Sequence, residues 1–146
     1  MSDVTVDDIT EFLAKISMFR GLKPAQLKKL AERARVRDYD KDQVIVAQNT
    51  AGLGLFIMAR GEAEVRRLHA DGNVTVVDTL SRFDFFGELS LLDDAPRSAT
   101  VVAIEPVKAV VLTKFDFLDE LEDDPKMAIT LLKQLAHRFR RVVTNL

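Results

Sequence analysis

The sequence predicts an α+β fold in which short antiparallel strands follow N-terminal helices and precede a long C-terminal helix. The hydrophobic pattern changes period twice along the chain, from helical to strand-like and back to helical. Turn residues divide the central part into many short runs of β-branched and aromatic residues. Because 146 residues with 47% hydrophobic content can build one core, we expect a single domain over residues 1–146.

The first helical region covers residues 7–34. Asp7 or Asp8 is available as an N-terminal cap, and Gly21 ends the first helical unit. Pro24 fits the first turn of a second helix. Apolar residues recur at three- and four-residue spacing on both helices: Ile9, Phe12, Leu13, Ile16, Leu27, Leu30, Ala31 and Ala34.

Residues 36–112 have the pattern of β-strands. We predict six strands, at 44–46, 55–58, 65–68, 74–80, 100–104 and 107–112. Turn signals separate them at 40–42, 60–62 and 71–73, and the last, Asp71-Gly72-Asn73, has the chemistry of a tight hairpin. Many short strands at this spacing are typical of a sandwich, a jelly roll or a small barrel.

Residues 115–146 return to a helical pattern, with an acidic helix and loop before Pro125 opens a long helix. The long helix carries a strongly apolar stripe: Ala128, Leu131, Leu132, Leu135, Phe139, Val142 and Leu146. This stripe can pack on the strands, cover a ligand as a lid, or pair with a second copy, and the pattern leaves all three open.

Composition excludes several classes of function. The net charge of −2 and the pI near 5.7 are unlike the basic excess of nucleic-acid-binding domains, so we expect no direct nucleic-acid binding. The chain has no cysteine, which excludes disulfides and thiolate zinc sites and favours a cytoplasmic protein. No apolar run approaches the roughly 18 residues of a membrane span, so we expect no membrane contact.

One segment, residues 86–101, interrupts the strand pattern. A glycine turn at Gly87 leads into a short helix-like run, then a loop, then Arg97 at the start of a strand. Unpaired N–H groups at a helix N-terminus attract anions, and an arginine adds a planar, bidentate clamp for phosphate oxygens. Glu88 would repel a bare phosphate, but its carboxylate can accept a hydrogen bond from a ribose 2′-OH on the same ligand.

This segment, FGELSLL at 86–92 followed by RSATV at 97–101, closely resembles the phosphate-binding cassette of the cyclic-nucleotide-binding domain family. That family includes the sensor domains of catabolite activator protein, cAMP-dependent protein kinase regulatory subunits and cyclic-nucleotide-gated channels. The resemblance extends over nearly the whole chain, through MFRGL at 18–22, LFIMARGEAEV at 55–65 and the helix at 131–140. It implies an antiparallel β jelly-roll barrel flanked by the N-terminal helices and the long C-terminal helix.

The resemblance also implies that seven residues bind phosphate and ribose: Gly87, Glu88, Leu89, Ser90, Arg97, Ser98 and Ala99. Glu88 would take the ribose 2′-OH, and Arg97 would bind the exocyclic phosphate oxygens. Relatives that prefer cGMP often have a threonine after the arginine. Ser98 stands there in this chain, which favours cAMP as the ligand and leaves cGMP as the alternative.

Three further residues are candidates for the base pocket. Val77 and Leu80 could line it from a strand, although strand residues of this kind are usually core, and Thr144 could reach a base from the last helix. Relatives often have two glycines, each followed by an acid, before the Leu55 strand, whereas this chain has Asn49-Thr50 and Gly52-Leu53. Asn49 can adopt the left-handed conformation that a glycine supplies.

Simpler interpretations compete with this one. Taken alone, Arg97 would pair with Asp93 or Asp94 on the surface, and the phenylalanines at 83, 85 and 86 would be core residues. His69 and His137 are the only histidines, so a cupin-type metal site has too few ligands. We therefore expect no catalytic residues, no metal and no cofactor.

The function we predict is a cyclic-nucleotide sensor module without its own catalytic or DNA-binding output. Its expected partners are the nucleotide and either a second copy, through the 125–146 helix, or an unidentified effector protein. The alternatives are a fragment of a catabolite-activator-type transcription regulator, a cGMP-preferring sensor, a cyclic-nucleotide hydrolase, and a degenerate domain that only contacts other proteins.

Overall fold

The helices begin where local signals in the sequence place them. The computed structural model describes residues 4–51, 54–87 and 96–145. Its helices are α1 (Val6–Leu13), α2 (Pro24–Arg33), α3 (Lys114–Asp123) and α4 (Pro125–Thr144), with a 3₁₀ turn at Ser17–Phe19. The predicted starts at Pro24 and Pro125 are confirmed, because a proline lacks only an N–H that the first turn leaves unpaired.

The cap of α1 differs from the prediction of Asp7 or Asp8. Thr5 is the N-cap, and its Oγ1 accepts a hydrogen bond from the Asp8 amide at 3.1 Å. The Asp8 carboxylate accepts one from the Thr5 amide at 3.0 Å, which lowers the pKa of Asp8. Asp8 therefore completes a reciprocal capping box instead of being the cap itself.

Among the described residues, eight strands form two four-stranded antiparallel sheets. They are β1 (Arg35–Tyr39), β2 (Val44–Val46), β3 (Gly54–Arg60), β4 (Ala63–Leu68), β5 (Val74–Leu80), β6 (Phe85–Phe86), β7 (Thr100–Ala103) and β8 (Val107–Thr113). The sheet orders are β1-β8-β3-β6 and β2-β7-β4-β5. The predicted jelly roll is confirmed, although its two sheets do not join into a closed barrel within the described ranges.

Two of the predicted turns make different kinds of connection between strands. The turn at 71–73 joins β4 to β5 as a hairpin, in which the His69 amide donates to the Asn73 carbonyl at 2.8 Å. The turn at 60–62 instead carries the chain from one sheet to the other, since β3 and β4 pair with different partners. Consecutive strands that do not pair are what distinguish a jelly roll from a simple meander.

The chain divides into two compact units, each with its own buried residues. One comprises residues up to Arg33 together with those from Asp116 onward, and the other is Ala34–Phe115. The strand unit has a core that includes Met58, Ala63, Leu80, Val101, Ala103, Val107 and Ala109. Tyr39 on β1 packs against this core, and its burial raises the pKa of the phenol.

In the helical unit, Arg33 joins α2 to α3 through three carboxylates. Its nitrogens lie 3.2 Å from Asp116, 2.6 Å from Asp119 and 2.8 Å from Glu120. The hydrogen bond with Asp119 is the main cause of the raised pKa of Arg33. Glu120 is buried, and removal of Arg33 would leave its carboxylate without this cation.

None of the helices among the described residues combines the length and apolar character that crossing a membrane requires.

Candidate functional site

The predicted phosphate and ribose residues fall into two groups. Glu88, Leu89 and Ser90 lie outside the described residues, as do Asp93 and Asp94, the surface partners considered for Arg97. Gly87, Arg97, Ser98 and Ala99 are described. The geometry of the site is therefore built from these four residues and the strands that hold them.

Gly87 directly follows β6, which pairs with the outer edge of β3. Its φ is +90°, a conformation that side chains other than glycine rarely adopt. A Cβ at this position would collide with the Gly54 carbonyl oxygen and would lie 2.5 Å from Nη1 of Arg97. Glycine at 87 thus lets the backbone and a guanidinium group approach each other closely.

Arg97 is buried, with 7% of its surface exposed. Its Nη2 donates a hydrogen bond to the Gly54 carbonyl at 3.0 Å. Its guanidinium carbon lies 5.6 Å from the centre of the Phe56 ring, within the range of a cation–π contact. The alternative in which Arg97 pairs with Asp93 or Asp94 stays a prediction, because both acids lie outside the described residues.

The aromatic part of the site comes from two paired strands. Phe56 and Phe86 are cross-strand partners, and their rings stack at 5.0 Å with an angle of 6° between them. Both side chains are only partly buried, and Phe86 packs against the core of the strand unit. The stack fixes the ring over which Arg97 lies, so the register of β3 and β6 positions the guanidinium.

Both backbone groups of Arg97, its amide and its carbonyl, make hydrogen bonds to residues 49–50. Its amide donates to the Thr50 carbonyl at 2.8 Å, and its carbonyl accepts from the Asn49 amide at 2.8 Å. Ala51 and Pro96 form a β-bridge beside these bonds. Asn49 has a φ of +66°, which confirms that it adopts the left-handed conformation expected for it.

The residues after Arg97 continue along the same loop. Ser98 is exposed, whereas Ala99 is partly buried. The Thr100 hydroxyl oxygen then accepts a hydrogen bond from the Gln48 amide at 2.9 Å. Residues 48–51 and 96–100 therefore run side by side and present the Ser98 hydroxyl to solvent next to the buried arginine.

The candidate base-pocket residues are not brought to this site by any contact described for them. Leu80 is buried in the core of the strand unit, and Val77 is half exposed on the edge strand β5. Thr144 lies in the last turn of α4, where its hydroxyl donates to the Arg140 carbonyl at 2.7 Å. Their role in binding a base stays a prediction.

Two residues of the site were not predicted from the sequence, Gly54 and Phe56. Both lie on β3, more than 30 residues before Arg97 in the chain. A glycine at the start of an apolar strand is a signal for close approach of another group, and Gly54 does accept the Arg97 hydrogen bond. Within the part of the chain that the structure describes, no group of three or more metal-ligating side chains occurs.

The fold and this arrangement together define a β jelly-roll domain that holds a buried arginine against two glycines. The family model for the cyclic nucleotide-binding domain matches residues 36–124. The chain therefore belongs to the cyclic nucleotide-binding domain family.

The chain is similar to regions of proteins of different kinds. A CRP-like cAMP-activated global transcriptional regulator of Mycobacterium tuberculosis is 29% identical over 93% of the chain, which spans 61% of that protein. Acetyltransferase Pat of Mycolicibacterium smegmatis is 33% identical over 90% of the chain and 39% of its own length. The N-terminal domain of a transcriptional regulator from Streptomyces coelicolor A3(2) is 25% identical, with a TM-score of 0.83 over 92% of this chain and 94% of that one.

Proposed function

We propose that this domain is a sensor that binds a 3′,5′-cyclic nucleotide, and that the nucleotide is cAMP. The observation that carries the proposal is the buried Arg97 guanidinium, packed against the backbone of Gly87 and bonded to the Gly54 carbonyl. A buried arginine with a fixed fork is suited to the oxygens of a cyclic phosphate. Family membership supplies the class of ligand.

The choice of cAMP rests on two further points. Ser98 follows the arginine where cGMP-preferring relatives often have threonine, and its side chain is exposed beside the site. The M. tuberculosis relative is named as cAMP-activated. Glu88 is proposed to accept the ribose 2′-OH, and Leu89, Ser90 and Ala99 to complete the phosphate cradle.

Titration calorimetry with cAMP and cGMP tests the proposal. We expect Arg97→Ala to weaken cAMP binding by about 1.5–3 kcal/mol, the scale of a hydrogen bond to a charged group. Arg37→Ala removes an exposed arginine from β1 and should leave affinity unchanged. If the unaltered chain binds neither nucleotide, the proposal is wrong. If it binds cGMP more tightly than cAMP, the choice of cAMP is wrong.

The Glu88 role has its own test. We expect 2′-deoxy-cAMP to bind more weakly than cAMP, because it lacks the hydroxyl that the carboxylate would accept from. Glu88→Gln should reduce this difference. Equal binding of both nucleotides by the parent chain would remove the ribose contact.

A homodimer through α4 is proposed as the oligomeric state. Five exposed residues of α4 alternate at spacings of three and four, as in a coiled-coil seam: Ile129, Leu132, Ala136, Phe139 and Val143. Phe139 is 70% exposed and Leu132 is 61% exposed. An apolar seam of this kind is stabilised when a second copy covers it.

Sedimentation velocity tests the dimer. Phe139→Glu should dissociate it, whereas Phe115→Glu, at a phenylalanine that is 77% exposed on α3 and off the seam, should not. A monomeric parent chain at high concentration would contradict the proposed state.

The output of the sensor is proposed to lie in a partner or a further domain and not in catalysis by this domain. The acetyltransferase relative is the reason to test this, since there the similar region covers only part of an enzyme. Chromatography of cAMP incubated with the chain should recover the nucleotide unchanged. Steady loss of cAMP that Arg97→Ala abolishes would establish hydrolysis instead.

A further inference from the structure

The helical unit contains a groove whose lining is polar and strongly basic, far in sequence from the cassette. Six residues line it, three of them arginines: Ser17, Arg20, Gln134, His137, Arg138 and Arg141. Its volume is about 350 Å³. A second groove of about 430 Å³ shares His137 and Arg141 with it and adds Arg140, Thr144 and Asn145. Neither set of lining residues contains an acid.

We propose that this arginine groove, the six residues around Arg141, binds a small oligophosphate, either inorganic or the phosphate tail of a nucleotide. Three guanidinium groups converge on one groove together with neutral donors from Ser17 and Gln134. Arginine forks match phosphate oxygens in a bidentate way. An anion with several phosphate charges can engage more than one fork at once.

The local fold creates this concentration of charge. Helix α4 contains five lysines and arginines and no acid along its whole length, although the chain as a whole has a net charge of −2. On the facing 3₁₀ turn, Met18 and Phe19 are buried, which leaves Ser17 and Arg20 exposed at the groove. The positive potential is therefore local, and like charges close together favour a bound anion.

The size and position of the groove favour a small ligand over a macromolecule. Its volume is at the lower end of the range for small-molecule sites, roughly 300–1,000 Å³. The lining residues of α4 are 134, 137, 138 and 141, none of which belongs to the apolar seam. Substitutions in the groove and substitutions in the seam can therefore test ligand binding and dimer formation separately.

Calorimetry of the full chain with tripolyphosphate, and separately with ATP, tests the groove. We expect saturable binding of one ligand per chain that Arg141→Gln and Arg20→Gln each weaken at least about tenfold. Lys133→Gln removes the same charge from an exposed position of α4 outside the groove and should change affinity less than about twofold. Circular dichroism checks that each variant folds.

The remaining outcomes distinguish inorganic phosphate from a nucleotide as the ligand, and the groove from other places or modes of binding. Equal affinity for tripolyphosphate and ATP indicates that phosphates alone are recognised, and tighter ATP binding indicates a nucleotide. Binding that Lys133→Gln weakens as much as Arg141→Gln would show diffuse attraction and overturn the site. Loss of tripolyphosphate binding in Arg97→Ala would assign it to the cassette instead, and binding of duplex DNA alone would also overturn the proposal.

Discussion

Arg33 and Arg97 show two ways in which this protein holds an arginine. Arg33, in the helical unit, is about one-third exposed and contacts carboxylates of Asp116, Asp119 and Glu120. Arg97, in the strand unit, is 7% exposed, and its described contacts are with a backbone carbonyl and an aromatic ring. The first is positioned by charges on two helices, and the second by the backbone of two strands and a loop.

The difference bears on what each residue can do. Charges that surround Arg33 occupy its fork, so its role is to join α2 to α3. The backbone that surrounds Arg97 instead fixes where its fork lies, which is the kind of rigid placement that ligand recognition needs. Substitutions that affect each arrangement separately can test this contrast.

The largest effect is expected from Gly87→Ala. The new methyl group would collide with the Gly54 carbonyl and the Arg97 guanidinium, and alanine is strained at a φ of +90°. Gly72→Ala is the matched control, because Gly72 has a φ of +89° with open space around it. We expect Gly72→Ala to cost about 1–2 kcal/mol from backbone strain, and Gly87→Ala a further 1–3 kcal/mol, roughly, from overpacking.

Urea unfolding measures the two free energies, and calorimetry measures cAMP binding by both variants. Only Gly87→Ala should abolish binding. Equal losses of stability for the two substitutions would show that the close approach of Gly54 and Arg97 to Gly87 is unimportant. The proposal that this backbone positions the Arg97 guanidinium would then be wrong.

A smaller effect is expected from Arg33→Gln, which leaves the buried Glu120 carboxylate without its cation. The midpoint of thermal unfolding should fall by several degrees, because a buried charge that loses its partner is destabilising. Affinity for cAMP should not change. A loss of affinity comparable with that of Arg97→Ala would break the contrast between the two arginines.

The smallest effect is expected at Asp124, where a hydrogen bond from Gln26 at 3.0 Å lowers the pKa of the carboxyl below its ordinary value of 3.8. A lowered folded-state pKa means stabilisation that is present above 3.8 and is lost as the pH falls through the folded-state pKa. Asp124→Asn should thus lower the unfolding midpoint at pH 7 but not at strongly acidic pH.

The neighbouring substitution, Asp123→Asn, is the control for that measurement and should change the midpoint less at pH 7. A difference between the native chain and Asp124→Asn that persists unchanged into strong acid would contradict the role of the ionised carboxylate.

Much of the fold could be predicted because its signals are local. Turn residues and β-branched runs predicted the full extents of β2 and β5 and placed β3, β4, β7 and β8 within a few residues. β1 was not predicted as a strand, since its sequence RVRDY is mostly charged and its strand conformation depends on pairing with β8. β6 has two residues, too few for any periodicity.

The site could be predicted only in part, for the same reason. Gly87 and Arg97 stand within one short stretch of sequence, in two neighbouring segments of the same motif, so both were named as candidates. Gly54 and Phe56 depend on pairing between β3 and β6, which no local pattern encodes. The Thr5 cap was different, because Thr5 and Asp8 have the spacing of a capping box that the sequence already showed.

Tyr39 gives the strand unit an optical signal that differs from the circular dichroism of the helices. It is the only tyrosine of a chain without tryptophan, and it packs against the core of the strand unit. Fluorescence of this phenol therefore reports the environment of the sheets, while far-ultraviolet circular dichroism is dominated by the helices. A denaturation curve recorded with both would show directly whether the helices and the sheets unfold together or in succession.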